Sequence, residues 1–179
     1  MYKIKITKKK DFMPNLVSRM KKLSGQKVQV GWFKELGQHK SGSIYEVRDA
    51  LSYTQLAAIL DWGNRHTGMK GFHFTDAMMN KNRFKGNKVI KNILHSYLSD
   101  IHKNSPKVKA KVVMETIAGE YVENYRNIIG DKTSLRALEP STISYKSIIG
   151  SKTPDAPLLA FGDFKKKVSY KLNGVVVTP

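Results

Sequence analysis

The chain has 179 residues, no cysteine, 40% hydrophobic residues, and 32 Lys and Arg against 14 Asp and Glu, for a formal net charge of +18. That length suffices for one domain with a real core, and the lack of cysteine excludes a disulfide framework and zinc sites built on thiolates. No apolar run approaches the length of a membrane span, and the opening MYKIKITKKKDF lacks the apolar core of a signal peptide, so neither a membrane nor secretion by that route is expected.

Tyr2, Ile4 and Ile6 alternate with Lys3 and Lys5, which predicts a half-buried strand over 2–7. After Asp11, the residues Phe12, Leu16, Val17, Met20 and Leu23 fall at helical spacing. Pro14 sits in the first turn, where its missing N–H does no harm, and Gly25 stops the helix. Lys27–Phe33 predicts a second strand with Val28, Val30 and Trp32 on one face; Gly31 inside it suggests a bulge or a close neighbouring backbone. Residues 34–52 are polar and punctuated by Gly and Ser, a long loop with a short strand near Ile44–Val47.

The chain is organised around Leu56–Phe74. Ser52 or Thr54 starts a helix in which Leu56, Ile59 and Leu60 recur with Ala57 and Ala58 between them, Trp62 closes the run, and Gly63 and Asn64 stop it. Gly68 and Gly71 allow sharp turns. Phe72 and Phe74 flank His73, so alternation puts both rings on one side, and Thr75 is placed to cap the next helix. That helix runs to about His102, with a kink or break expected over Asn80–Asn87 at Gly86. Pro106 separates it from a helix over 108–129, where Val112, Val113, Ile117, Ala118, Tyr121, Val122 and Tyr125 keep helical spacing. Gly119 there suggests close approach of another element, and Gly130 a C-cap. Residues 131–156 are rich in Ser, Thr, Pro, Gly and Lys and read as a surface arm with little structure of its own. Phe164–Leu172 alternates around Val168 and Tyr170, and Asn173-Gly174 before Val175–Val177 is the strongest hairpin signal in the chain. The fold class expected is therefore α+β in a single domain over 1–179. It has an antiparallel sheet with a C-terminal hairpin, helices packed on one face, a long loop at 34–52 and an extended arm at 131–156.

No constellation for bond chemistry stands out. His95 and His102, seven apart, have only Asp100 nearby, and His66 and His73 with Asp61 are at unconstrained loop spacing, so these and His39 read as surface or packing residues rather than metal ligands. There is no Gly-x-Ser-x-Gly elbow, phosphate loop or dinucleotide glycine pattern. The expectation is a noncatalytic protein with no cofactor and no metal. The charge is the outlier, since such a field attracts polyanions. Lys dominates over Arg and is dispersed, which suits nonspecific proximity to phosphate better than base reading. The candidate faces for DNA or an acidic partner are Lys81, Arg83, Lys85, Lys88 and Lys91, interleaved with Phe84, and Lys165, Lys166 and Lys167 beside Phe164. Trp32, Trp62, Phe72 and Phe74 are the candidates for packing the subunit or its partner.

Three segments occur in a suggestive order: KVQVGWF (Lys27–Phe33), LAAILDWGN with the later FHF (Leu56–Asn64, Phe72–Phe74), and LEPSTISYKSIIG…APLLAFGDFKKKVSY (Leu138–Tyr170). Together they resemble the tailed-bacteriophage virion-morphogenesis proteins of the head–tail neck, the tail-completion group allied to the HK97 gp10-like proteins. In that family a strand with Val-Gly precedes a helix ending in an acidic-aromatic-Gly triplet, here Asp61, Trp62 and Gly63. The family's Arg-Pro-Phe box is replaced here by Lys70-Gly71-Phe72 and His73-Phe74, and its Thr before the late Gly by Ala160-Phe161. The resemblance implies a small α+β fold and a homo-oligomeric ring, commonly a hexamer, acting as tail terminator or completion protein. It also implies neighbouring neck and tail-tube proteins as partners, genomic DNA passing through the lumen, and a place in the virion after assembly in the host cytoplasm. The alternative is a basic nucleic-acid-binding protein without catalytic activity.

Overall fold

The computed structural model describes residues 12–38, 51–82, 86–99, 108–159 and 162–179. The expected strands at Tyr2–Thr7 and Ile44–Val47 lie outside the described residues. In order come α1 (Met13–Ser24), β1 (Val28–Gly31), a 3-10 turn (Lys34–Leu36), α2 (Tyr53–Trp62), β2 (Gly63–Asn64), β3 (Met69–Lys70) and α3 (Phe74–Asn82). They are followed by α4 (Gly86–Leu98), α5 (Ala110–Ile128), α6 (Pro140–Ile148), α7 (Asp163–Lys166), β4 (Ser169–Leu172) and β5 (Val175–Val177).

The fold is α+β. Its main sheet is antiparallel, ordered β1-β4-β5, with Val30 opposite Tyr170 and Gly31 opposite Ser169. Gly31 stays in register, and a Cβ there would meet nothing within 4 Å, so neither the bulge nor the close backbone is found; its φ of +148 is what suits glycine. The hairpin forms where expected. Asn173 and Gly174 both have positive φ, as a tight two-residue turn between right-twisted strands requires. Asn173 exchanges two bonds with Lys27: its N–H donates to the Lys27 carbonyl and its Oδ1 accepts the Lys27 N–H, each at 2.9 Å.

α5 lies against β1 and β4. Val113, Ala118, Val122, Tyr125 and Ile128 recur at helical spacing and are buried, so the helix commits one stripe to the core. Nothing comes within 4 Å of a Cβ built on Gly119, so the close approach expected there does not occur. At the core's centre Trp32 stacks on Phe164 (4.4 Å, 12°) and meets Phe74 and Tyr125 edge-on at 5.4 and 5.6 Å. Its Nε1 donates to the Phe164 carbonyl at 2.9 Å, which satisfies the one polar atom the buried indole carries. Arg126 of α5 donates to the Val168 and Pro179 carbonyls at 3.1 and 2.9 Å, tying the helix to the end of the sheet.

Three expectations are corrected or refined. The long helix from Thr75 is two helices, α3 and α4, consistent with the break expected over 80–87; Ile101 and His102 lie outside the described residues. α1 buries Arg19 with Leu16 and Leu23 half-buried on the same face, while Phe12, Met13, Val17 and Met20 are exposed, so only part of its apolar ladder turns inward. Arg19 and Tyr97 clamp α1 to α4: Arg19 Nη1 donates to the Tyr97 carbonyl at 2.9 Å, and the Tyr97 hydroxyl donates to the Arg19 carbonyl at 3.0 Å. Finally, 131–156 is not an extended arm. Asp131 folds its start by accepting from Thr133 and Ser134, Pro140 opens α6 at a position where no N–H is needed, and Leu135, Lys146 and Ala156 are buried. Polar composition hid a short helix whose few inward residues anchor it. In the 34–52 loop, a Gln38–Ser52 bridge closes the base; 39–50 lie outside the described residues. Among the described residues no helix is long and apolar enough to cross a membrane.

Candidate functional site

The Leu56–Phe74 stretch folds into a stiff corner. Ser52 opens α2 with a capping box: its Oγ accepts the Gln55 N–H and the Gln55 side chain accepts the Ser52 N–H. Thr54 is not the cap; its hydroxyl donates to the Trp32 carbonyl at 3.0 Å. At the other end Gly63, with φ +89, leads straight into the β2–β3 hairpin, which returns the chain across the end of α2. The two passes are so close that a Cβ on Gly63 would overlap the Met69 carbonyl, and one on Gly71 the Asp61 carbonyl. The returning amides then close the helix, with the Phe72 and His73 N–H groups donating to the Leu60 and Asp61 carbonyls at 2.8 and 3.0 Å.

Asp61 joins this corner to the next helix. It is buried, and its Oδ1 accepts the Thr75 N–H at 3.1 Å in the first turn of α3. The cap expected of Thr75 is thus supplied from α2, and the carboxylate sits where the helix dipole favours negative charge. Beside it, burial pushes the Tyr125 phenol up; a hydrogen bond with Thr75 opposes the shift and the Asp61 charge adds to it.

Of the four aromatic candidates, Trp32 and Phe74 are buried in the core and Phe72 packs against its edge. Phe72 and Phe74 turn inward on either side of an exposed His73, as alternation expects, although His73 is in the left-handed region at φ 49. Trp62 differs: it is 73% exposed and touches His73 edge-on at 6.3 Å.

On the other face of α2 is a cavity of about 300 Å³, walled by Leu56, Leu60, Met69, Phe72, Leu158 and Phe164 and rimmed by Glu139 and Asp163. Arg136 lies over the Phe72 ring at 4.6 Å and donates to the Lys70 carbonyl at 2.5 Å. Lys146, 7% exposed, lines it and donates to the Ala156 carbonyl at 2.6 Å. Burial pushes this ammonium down, while the nearby Asp155 pulls it back up. An apolar hollow with a polar rim suits a bulky, mostly apolar group that carries a few polar atoms. Sequence reasoning did not single out Arg136, Lys146 or the cavity. The available signal was the spacing of Leu138, Thr142 and Lys146, four residues apart within a segment read as arm.

Among the basic candidates, Lys88 and Lys91 are exposed on α4 and Lys166 on α7, whereas Lys165 and Lys167 are half-buried. Lys167 Nζ lies 5.8 Å over the Tyr53 ring. The Lys165–Lys167 run therefore does not present one face. The Lys81 side chain, Arg83 and Lys85 lie outside the described residues. His66, His73 and His95 are exposed, and His39 and His102 also lie outside. Comparison with protein-family models, curated proteins and solved structures finds no match.

Proposed function

We propose that this chain is a structural subunit of a tailed-phage head–tail neck, of the tail-terminator or tail-completion type. It works as a ring that joins the tail to the head and lets DNA pass. The observation that carries this reading is the corner built by Asp61, Trp62 and Gly63, the triplet that ends the helix in the second of the three segments in which the chain resembles that group. Asp61 caps α3, Gly63 crosses beneath the returning chain, and Trp62 is held out to solvent on that stiff base. A large aromatic on a rigid, exposed mount is the kind of anchor that carries binding energy at interfaces. The α+β fold with its antiparallel sheet also supports the reading. The action is surface complementarity without catalysis, toward further copies of the chain and toward neighbouring neck and tail-tube proteins. Lysines provide nonspecific attraction for DNA in the lumen. The site of action is the virion, reached from the host cytoplasm.

The experiment is native mass spectrometry or light scattering of the purified protein, alone and with tail tubes. The expected result is a closed ring, commonly a hexamer. A chain that stays monomeric at high concentration and with its neck partners overturns the reading. A second reading, a basic nucleic-acid binder working as a monomer or dimer, is favoured by the net charge of +18 and the exposed Lys88, Lys91 and Lys166. It predicts tight binding to duplex or single strands that weakens steeply with salt and needs no ring.

A further inference from the structure

We propose that the cavity beneath α2 is the socket for Trp62 of a neighbouring copy of the chain. This rests on the ring reading and deepens it by naming the two halves of the junction.

Four observations carry it. The first is fit. The cavity measures about 300 Å³ and its walls are apolar, with Leu56, Leu60 and Phe72 among them, which suits one indole. The second is polar matching. An indole carries a single N–H donor, and the rim offers the carboxylates of Glu139 and Asp163 as acceptors. Arg136, already lying over Phe72, is placed to stack on a second ring. The third is charge. The exposed charges at the rim are Glu139 and Asp163 against Arg136, with Lys146 buried beneath, while Trp62 touches the exposed His73 and precedes the exposed Arg65 of the β2–β3 turn. The exposed rim thus carries a small acidic excess that suits the basic turn beside the knob and helps set orientation, while the apolar walls supply the attraction. The fourth is direction. At 3.6 residues per turn, Trp62 lies about 200° around α2 from Leu60, which faces the cavity. Knob and socket thus point to opposite sides of one helix. A copy that offers one of each can only join head to tail, and such a junction closes into a ring when the rotation between copies allows it.

The test uses the full chain. Trp62→Ala removes the knob, and Thr142→Phe fills the socket from the exposed face of α6. Glu139→Arg is a second socket variant. It reverses the rim at a residue whose side chain makes no capping bond, so it guards against a fold defect in the first. Each variant alone should lose assembly, with association weakened at least roughly tenfold. Mixing Trp62→Ala with a socket variant should then give a one-to-one pair and nothing larger, because only one functional junction remains. Fluorescence gives an independent reading. The chain has two tryptophans and Trp32 is already buried, so emission should shift to the blue as the wild-type protein assembles and not in the socket variants.

If the wild type forms rings and both classes of variant do too, the socket assignment is overturned while the ring stands. If the single variants stay monomeric but fail to pair when mixed, knob and socket are not partners and the assignment is likewise overturned. A wild type that stays monomeric even with tail tubes removes the ring reading and this proposal together.

Discussion

Gly71 and Gly119 have the same chemistry and opposite consequences. At Gly71 an added methyl overlaps the Asp61 carbonyl and the Trp62 backbone, groups held by the end of α2; at Gly119 it projects into open space within a helix. Gly71→Ala should therefore cost about 2–3 kcal/mol, the usual penalty for forcing atoms into packed structure. Gly119→Ala should add about 0.5–1 kcal/mol by removing the entropic cost of glycine in a helix. Urea unfolding of the two variants measures both, and a stabilised Gly71→Ala would contradict the crossing. Buried ionisable groups add a pH signature. Burial raises the phenols of Tyr53, Tyr97, Tyr125 and Tyr170 above the ordinary 10.0. Their contribution is fully present below the unfolded value and is lost as pH rises through the folded ones. Lys146 has the opposite sign. Its folded value lies below the ordinary 10.5, so its contribution is present above that value and is lost as pH falls through the folded one. Thermal unfolding across the alkaline range should show stability climbing and then falling. Lys146→Met should flatten the climb and leave the fall.

Helix ends and helix pairs carry the next set of dependencies. α2 starts at a capping box that is local in sequence, so Ser52→Ala should destabilise the protein by about 1 kcal/mol. α1 and α4 are joined by the reciprocal Arg19–Tyr97 bonds across 78 residues. Tyr97→Phe keeps the ring in place and removes the hydroxyl, so it should cost about 1 kcal/mol. Hydrogen exchange should show the loss first in α1. That helix exposes Met13, Val17 and Met20, and besides this clamp it packs against α5. α6 shows the converse case. Its sequence is polar enough to pass for an arm, yet it forms one wall of the cavity through Thr142 and Lys146.

On the ring reading, the net charge of +18 acts on assembly in two directions. Like-charged copies repel, and salt screens that repulsion, so ring formation should strengthen as salt rises. Binding to DNA releases counterions, so it should weaken over the same range. Light scattering and fluorescence anisotropy with a labelled duplex, run side by side, read the two slopes. Assembly that falls with salt would mean that charge pairs, rather than an apolar socket, hold the copies together. Lys88→Glu with Lys91→Glu should reduce DNA binding and leave assembly intact, because both side chains stand on α4, away from the cavity lining.

What the sequence determined by itself was whatever depends on near neighbours along the chain. The stripe of α5, the stop of α2 at Gly63 and the Asn173-Gly174 turn follow from spacing and backbone preference within a few residues; the stop and the turn stand where expected, and so does the stripe except at Val112, which is exposed. The +18 balance is likewise a property of composition alone. Only the tertiary structure decided that Asp61 caps a helix beginning well after it, and that Trp32 finds its hydrogen-bond acceptor 132 residues away on Phe164. It also decided that Phe72 and Phe74 turn inward while Trp62, in the same apolar stretch, stays outside. All three carry large apolar rings within a few residues of one another, so side-chain type alone does not sort them. Their exposure is set by which distant elements come to cover them, and that depends on how α2, α5 and the late 135–164 segment pack against one another rather than on any local period.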